Sequence, residues 1–331
     1  MDKRFLVKQA IRLIGLIIFI VIIANTDFSH VDLILTSSEQ IMLILAFFLT
    51  IPIMVLKGLR WFVISKNLGI RITPAEATTG LCIAQMTSFT LPGSLGDLIR
   101  IPFLKCRGNP TDRSILSIFL DAVAASVIPY SVAAISILVL FDVDSSILVF
   151  LLSSTLFVSA AVYVAYKVVR VTIWPWLSRA RIRRIKSTGI QGRFFVSLRE
   201  ALGLIHVRSI ALSIFLAAGA WYVYTLQGWV LSYALGMSVD WFIIAMALTL
   251  ASMFSTIPIS IQGIGVREGI LLLVLGFFGL DTGRIVVFSI VLTLISLTPS
   301  LWGLISWLRD PFVEIKSEAV EESITKPLEY H

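Results

Sequence analysis

Long apolar runs, separated by short charged loops, dominate the pattern of hydrophobic and polar positions along the chain. A run of about 20 apolar residues forms a helix long enough to cross a hydrocarbon core about 30 Å thick. Six runs predict full transmembrane spans, at residues 5–24, 41–64, 114–141, 146–169, 209–235 and 284–307. We therefore expect an all-helical (all-α), polytopic membrane protein.

Two further apolar segments, 74–104 and 240–280, are interrupted in the middle by proline, glycine and polar residues. Basic residues flank both ends of the first segment, and because Lys and Arg concentrate in cytoplasmic loops, both ends are expected on the same side. The second segment must also return to its starting side if the last span is to end inside at Arg309. Both segments are predicted to be re-entrant helical hairpins, one from each face of the membrane, with the N- and C-termini in the cytoplasm.

The two halves of the chain resemble each other in sequence. The matching stretches are 60–69 with 228–236 and 91–100 with 257–267. The spacing is nearly constant, since Arg100 and Arg267, for example, lie 167 residues apart. A re-entrant hairpin and an odd number of crossings separate the matching stretches, so the repeats are predicted to be inverted in the membrane. In such proteins, interrupted segments at corresponding positions mark a transport site near the midplane.

These features predict one transmembrane domain and a short tail. The domain covers residues 1–309, with repeat one at about 41–141, repeat two at about 209–308 and a basic cytoplasmic loop at 170–208. The tail covers residues 310–331 and is expected in the cytoplasm.

Composition supports the membrane assignment and narrows the classes of function. Hydrophobic residues make up 57% of the 331 residues and charged residues 14%, with a mean hydropathy of +0.94, whereas soluble domains carry about 25% charged residues. The net charge of +7 comes from Lys and Arg beside the spans, where they set topology, so no nucleic-acid partner is expected. Cys82 and Cys106 have no His or Cys neighbours at metal-ligand spacing, so we expect no disulfide, metal or cofactor.

Charged pairs follow both interruptions and predict a binding site. Asp97 and Arg100 lie three residues apart, where they can meet on one helix face, and the second pair is Arg267 with Glu268. Four glycines beside them expose backbone N–H groups: Gly93, Gly96, Gly263 and Gly265. Half-helix N-termini together with an arginine suit a phosphate anion. The alternative is that the two interruptions are packing breaks with self-neutralised ion pairs.

Asp121 is a lone carboxylate within the predicted span 114–141. A charged side chain at the bilayer centre costs about 2.5–3.5 kcal/mol on insertion scales, so Asp121 needs a partner. The sequence offers Arg100 or Lys57. Asp121 is predicted to be either the carrier of a coupling proton or a counter-ion.

The chain resembles the flippase-like family named after the transmembrane region of lysylphosphatidylglycerol synthases. The resemblance rests on Arg60-Trp61, Leu91-Pro92-Gly93-x-x-Gly96-Asp97-x-x-Arg100, Asp121 and Pro258-x-Ser260-x-x-Gly263-x-Gly265-x-Arg267-Glu268. It implies a prokaryotic cytoplasmic-membrane protein that moves a lipid between leaflets, with the motif residues, Arg60 included, at the substrate site. Members of this kind are linked to aminoacylated phosphatidylglycerol, polyprenyl-linked sugars or hopanoid-type lipids.

Two departures limit what the resemblance implies. Many members have Gly-Gly-Asp where this chain has Leu95-Gly96-Asp97. The bulkier residue is expected to narrow the break, which bears on the choice of lipid more than on the fold. The aminoacyl-transferring members carry an added soluble catalytic domain, which is not expected in this chain.

These observations predict a transporter without enzymatic activity. Arg100 and Arg267 are expected to hold the phosphate of an anionic phospholipid or a polyprenyl-phosphate-linked lipid in a midplane cavity, with Asp97, Asp121 and Glu268 as their partners. One alternative is a membrane-embedded enzyme that acts on a lipid phosphate. The other is a non-transporting assembly subunit that binds a synthase or glycosyltransferase through the basic loop.

Overall fold

The computed structural model describes residues 20–24, 26, 37–88, 93–140, 207–255 and 263–309. These ranges are almost entirely helical and contain no β-strand. Besides the helical residues 20–24, the elements are α1 (Ser37–Phe48), α2 (Thr50–Asn67), α3 (Pro74–Ser88), a 3-10 helical segment (Gly93–Ile99), α4 (Arg100–Lys105), α5 (Thr111–Leu140), α6 (Val207–Ala234), α7 (Trp241–Ser255), α8 (Val266–Phe277) and α9 (Thr282–Arg309).

Four helices of the described ranges have the length and apolar composition needed to cross a membrane. They are Glu39–Asn67, Thr111–Ser136, Arg208–Ala234 and Thr282–Arg309, with mean hydropathies of 2.3, 1.9, 1.6 and 2.1. They confirm the second, third, fifth and sixth predicted spans. The predicted span 146–169, most of the span 5–24, nearly all of the basic loop 170–208 and the tail 310–331 lie outside the described residues.

The two interrupted segments fold back on themselves, as predicted for re-entrant hairpins. In the first, α3 packs against the 3-10 segment and α4, and Arg107, just after α4, bonds to Glu76 near the start of α3 at 3.1 Å. In the second, α7 packs against α8, and Arg284 donates to the carbonyl of Gly236, just before α7, at 2.6 Å. Each segment therefore ends beside the point where it began.

Both hairpins make the same close contact at the tip. A Cβ atom on Gly96 would lie 2.0 Å from the hydroxyl oxygen of Ser88, and one on Gly263 would lie 2.4 Å from that of Ser255. Gly263 also has a φ of 79°, a conformation that residues with a side chain rarely adopt. The two chain segments approach at the tip only because a glycine stands in each.

The helix before each hairpin ends in the same way. Gly69 and Gly236 have φ angles of 69° and 67°. The next residue in each case, Ile70 or Met237, donates its N–H to a serine carbonyl five residues back, at 3.0 and 2.9 Å. A left-handed glycine followed by this backward bond satisfies carbonyls that the helix end leaves open. Because the motif recurs 167 residues later, the structure supports the predicted duplication.

The corresponding helices α2 and α6 pack against each other and run antiparallel. Ser209 at the start of α6 bonds to Asn67 at the end of α2 at 2.9 Å, whereas Gln227 late in α6 bonds to Thr50 at the start of α2 at 2.8 Å. The other helices pack in exchanged pairs across the repeats. In one pair α3 of repeat one packs against α9 of repeat two, and in the other α7 of repeat two packs against α5 of repeat one. This pattern is that of a two-fold relation across the helix axes, so the repeats are inverted as predicted.

A buried aromatic side chain positions the site. Trp61 is fully buried and lies against Gly80, where an added Cβ would come within 2.8 Å of the ring. Its indole N–H donates to the Ser117 hydroxyl at 3.3 Å. The ring thus ties α2 to α3 and α5, and its face supports the guanidinium of Arg100, whose central carbon lies 4.8 Å from the ring centroid.

Candidate functional site

A cavity of about 510 Å³ lies between the two repeats, where α2, α3, α5, α6 and α7 meet. One side of its wall carries charged groups from repeat one: Lys57, Arg60, Asp97, Arg100 and Asp121. The opposite side is neutral and is formed mainly by α6 and α7. The volume falls within the range of about 300–1,000 Å³ that is usual for ligand sites.

Asp121 joins two arginines at the bottom of the charged side. Its two carboxylate oxygens accept from Arg60 Nε at 2.7 Å and from Arg100 Nη1 at 2.9 Å. All three side chains are buried, with at most 7% exposure. Two guanidinium groups stabilise the ionised carboxylate, which favours the counter-ion role over the proton-carrier role. Arg100 is thus confirmed as a partner, and Arg60 joins it instead of Lys57.

Asp97 makes the second ion pair of Arg100. Its carboxylate lies 2.9 Å from Arg100 Nη2, which confirms the predicted meeting of the two residues. Unlike Asp121, Asp97 is partly exposed, with 38% of its side chain accessible. Arg100 is therefore held between a buried carboxylate on α5 and an accessible one on the 3-10 segment.

Lys57 gives the cavity its surplus charge. The cavity wall contains three cationic side chains and two carboxylates, so its formal charge is +1. Both carboxylates are paired with arginine, whereas Lys57 makes no ion pair with a described residue. From the sequence, Lys57 was expected only as a possible partner for Asp121. The signal that points to it is a single lysine within the apolar run 41–64.

Neutral polar groups line the cavity on both repeats. Pro129 lies inside α5 and has no N–H, so it leaves the carbonyl of Ala125 without its helical partner. Both residues line the cavity. On the facing wall, the indole N–H of Trp221 donates to Thr249 at 3.1 Å, and the Ser252 hydroxyl donates to its own helix at 2.7 Å. These parts of the wall therefore present oxygen acceptors and aromatic rings without formal charge.

The charged pair of repeat two forms a separate cluster. Glu268 accepts from the Gly265 N–H at 2.5 Å and from the Ser289 hydroxyl at 2.7 Å. Arg267 lies 3.6 Å from Glu268 and donates to the Ser289 carbonyl at 3.1 Å and to the hydroxyl of Thr293. The carboxylate of Glu268 thus occupies the N-terminus of α8, where a phosphate was predicted.

The predicted site residues therefore fall into two groups. Arg60, Asp97, Arg100 and Asp121 line one cavity, with Gly96 beside them at the hairpin tip. The second group lies around the start of α8 and contributes no residue to the wall of this cavity: Gly263, Gly265, Arg267 and Glu268. The remaining glycine, Gly93, begins the 3-10 segment. A lipid-binding role of these residues stays a prediction.

The family model described as "Lysylphosphatidylglycerol synthase TM region" matches residues 9–303 of the chain. The chain belongs to this family. The match confirms the resemblance found in the sequence motifs and covers both repeats, including the cavity. Members of the lysylphosphatidylglycerol synthase TM region family are membrane proteins of lipid metabolism or transport. No curated protein and no solved structure matches the chain.

Proposed function

We propose that the protein is a lipid transporter, or flippase, that moves an anionic phospholipid or a polyprenyl-phosphate-linked lipid between the leaflets of a prokaryotic cytoplasmic membrane. The observation that carries this proposal is the cavity between inverted repeats, which has a formal charge of +1 and contains a lysine that makes no ion pair with the described residues. The phosphate binds at Lys57, and the lipid tails stay in the bilayer.

Electrostatics supports a phosphate at this place. A charged residue within a membrane is costly unless it is paired or faces water or substrate. The Arg60–Asp121–Arg100–Asp97 ion pairs balance their own charge, so among the described wall residues the formal charge that remains for an external anion is that of Lys57. An ammonium group binds phosphate as a compact point charge with three donors.

The symmetry of the molecule supports transport. Residues related by the 167-residue spacing stand on both sides of the cavity, as Met54 with Trp221 and Lys57 with Tyr224 do. A cavity at the boundary of inverted repeats can open to either leaflet when one repeat rocks against the other. Lys57 belongs to repeat one, and the aromatic residues Trp221 and Tyr224 belong to repeat two. Rocking of the repeats would therefore move the two halves of the site apart.

Transport without chemical conversion fits the state of the carboxylates. Asp97 and Asp121 each form an ion pair with Arg100, so both carboxylates are already used as counter-ions. In this proposal the protein is not an enzyme and needs no cofactor, and its partner is the lipid itself. The N- and C-termini lie in the cytoplasm.

Leaflet exchange in proteoliposomes tests the proposal. Wild type should accelerate quenching of head-labelled phosphatidylglycerol or of a polyprenyl phosphate, and Lys57→Gln should slow this exchange at least about tenfold, as expected for loss of a charged hydrogen bond. Lys66→Gln, an exposed lysine on the same helix, is the matched control and should exchange like wild type.

Two other results would contradict the proposal. Formation of a new product from a radiolabelled lipid would favour an enzyme acting on the lipid phosphate. Absence of exchange by the protein alone, together with co-purification of a stoichiometric synthase or glycosyltransferase, would favour an assembly subunit.

A further inference from the structure

We infer that Asp97 is a displaceable internal anion, which occupies Arg100 until a lipid phosphate takes its place. This inference rests on the proposed function, because it assumes that a phosphate enters the cavity. Arg100 has two carboxylate partners, Asp97 and Asp121, each at 2.9 Å. A phosphate held at Lys57 competes for the same guanidinium.

The two partners of Arg100 differ in how easily they are exchanged. Asp121 is 3% exposed and is held by a second arginine, Arg60, at 2.7 Å. Asp97 is 38% exposed and has Arg100 as its ion-pair partner. Removing a buried carboxylate from two cations leaves buried charge uncompensated, whereas a partly exposed ion pair is weak. Asp97 is therefore the partner that an incoming phosphate displaces.

The backbone that carries Asp97 can move with it. Asp97 lies in a 3-10 segment of seven residues, and hydrogen-bond geometry in such segments is poorer than in an α-helix. The segment contacts α3 at the hairpin tip, where the Thr87 hydroxyl donates to the Gly96 carbonyl at 3.0 Å. Release of Asp97 from Arg100 thus frees a segment that forms both the cavity wall and the hairpin tip.

Repeat two has no aspartate at the position that corresponds to Asp97. The residue 167 positions after Asp97 is Ile264, and Arg267 stands 167 positions after Arg100. The guanidinium of Arg267 is held by the Ser289 carbonyl and the Thr293 hydroxyl, and its carboxylate partner Glu268 is 2% exposed. Anion exchange is therefore confined to the first hairpin, so phosphate binding releases one hairpin and leaves the other unchanged.

Binding and exchange measured on the same variants test the inference. In maltoside micelles, dioctanoyl phosphatidylglycerol should bind Asp97→Asn about fivefold more tightly than wild type, because the competing carboxylate is gone. Leaflet exchange by Asp97→Asn in proteoliposomes should nevertheless be slower, since Asp97 no longer replaces the phosphate at release. Asp97→Glu should restore both values towards wild type. Asp112→Asn, outside the cavity wall, is the charge control.

A mobility measurement separates displacement from a structural role. Leu98 is 50% exposed, so a spin label on Leu98→Cys, in a chain with Cys106→Ser, reports on the segment. The label should become more mobile when dioctanoyl phosphatidylglycerol is added, and should not respond to dioctanoylglycerol, which has no phosphate.

The outcomes distinguish the two proposals. If wild type moves phosphatidylglycerol but Asp97→Asn binds it no more tightly, or if the label does not respond, the displacement is refuted and the transporter stands. If wild type neither binds nor moves phosphatidylglycerol or a polyprenyl phosphate, both proposals fall. A variant that unfolds is recognised by loss of its monodisperse elution. In that case the response of the spin label, measured in a chain that retains Asp97, decides whether displacement occurs.

Discussion

The two hairpins have the same backbone design and different side-chain chemistry. Both tips have a glycine against a serine, at Gly96 with Ser88 and at Gly263 with Ser255. The first hairpin lies beside a cavity with ion pairs and a lysine, Lys57, whereas the charged pair of the second is enclosed by neutral groups of α9. The comparison shows that close approach of the chain at the tip is common to both repeats, while the charged cavity wall, where we propose that an anion binds, belongs to repeat one.

One pair of corresponding residues on the spans illustrates this difference between the repeats. Arg60 in α2 corresponds by the 167-residue spacing to Gln227 in α6. Arg60 pairs with Asp121, but Gln227 donates to the Ala46 carbonyl at 2.7 Å and to Thr50 at 2.8 Å. A neutral amide thus stabilises the α2–α6 contact where the first repeat uses a charge for the cavity.

Removing the shared carboxylate should have the largest effect on this comparison. Asp121→Asn leaves Arg60 and Arg100 buried, and the carboxylate that remains beside them is the partly exposed Asp97, which pairs with Arg100. We expect a loss of about 3–5 kcal/mol of stability. Ser289→Ala in the second cluster removes one hydroxyl bond to Glu268 and should cost about 1–3 kcal/mol. Thermal unfolding in detergent measures both, and equal losses would contradict the asymmetry.

Side chains added at the hairpin tips should have the next largest effect. Gly96→Ala and Gly263→Ala should each destabilise the protein by about 1–3 kcal/mol, because overpacking forces neighbouring atoms apart. The neighbour of Gly96 includes backbone, with the Ser88 nitrogen 2.5 Å from the added Cβ, whereas the Gly263 clash is mainly with the Ser255 side chain.

A second substitution at each tip sharpens this prediction. Ser255→Gly should partly rescue Gly263→Ala, leaving the cost of its positive φ. Ser88→Gly should not rescue Gly96→Ala, since the backbone contact remains. Thermal unfolding measures the rescue at each tip. Rescue at both tips would contradict the expected difference between a side-chain contact at Gly263 and a backbone contact at Gly96.

Acid should have the smallest effect, and only on the base of the first hairpin. Burial acts to raise the pKa of Glu76, but hydrogen bonds from the Thr73 N–H and hydroxyl and from Arg107 hold this pKa below its usual value of 4.5. Stability from a lowered carboxylate pKa is present above the unfolded value and is lost as pH falls through the folded one. The loss therefore lies below about pH 4.5 and is small because Glu76 is partly exposed.

Hydrogen exchange at neutral and acidic pH measures this difference. The amides around Thr73 and Arg107 should exchange faster below about pH 4.5, after correction for the intrinsic rate. The base of the second hairpin, where Arg284 donates to a backbone carbonyl, should not change in the same way. Glu76→Gln should abolish the acid response, and its persistence in that variant would assign it to another group.

Much of the fold was predictable because helices and their interruptions are local. The apolar runs gave the four spans seen in the described part of the chain, and proline and glycine marked both breaks. The pairing of Asp97 with Arg100 was predictable too, because residues three apart in a helical segment share a face. The separation of Arg100 from Arg267 was not, since both follow a break at the same spacing in sequence.

The sequence alone determined a polytopic helical protein with two hairpins and a duplicated plan, because hydrophobic length and glycine positions follow from the chain itself. The packing of the helices, which the sequence does not contain, determined which charges on different helices meet. Asp121 binds Arg60 across 61 positions, so Lys57 lines the cavity without an ion pair to any residue that the structure describes. The choice depends on how antiparallel helices pack at the two-fold relation between the repeats, and no pattern along one helix contains that information.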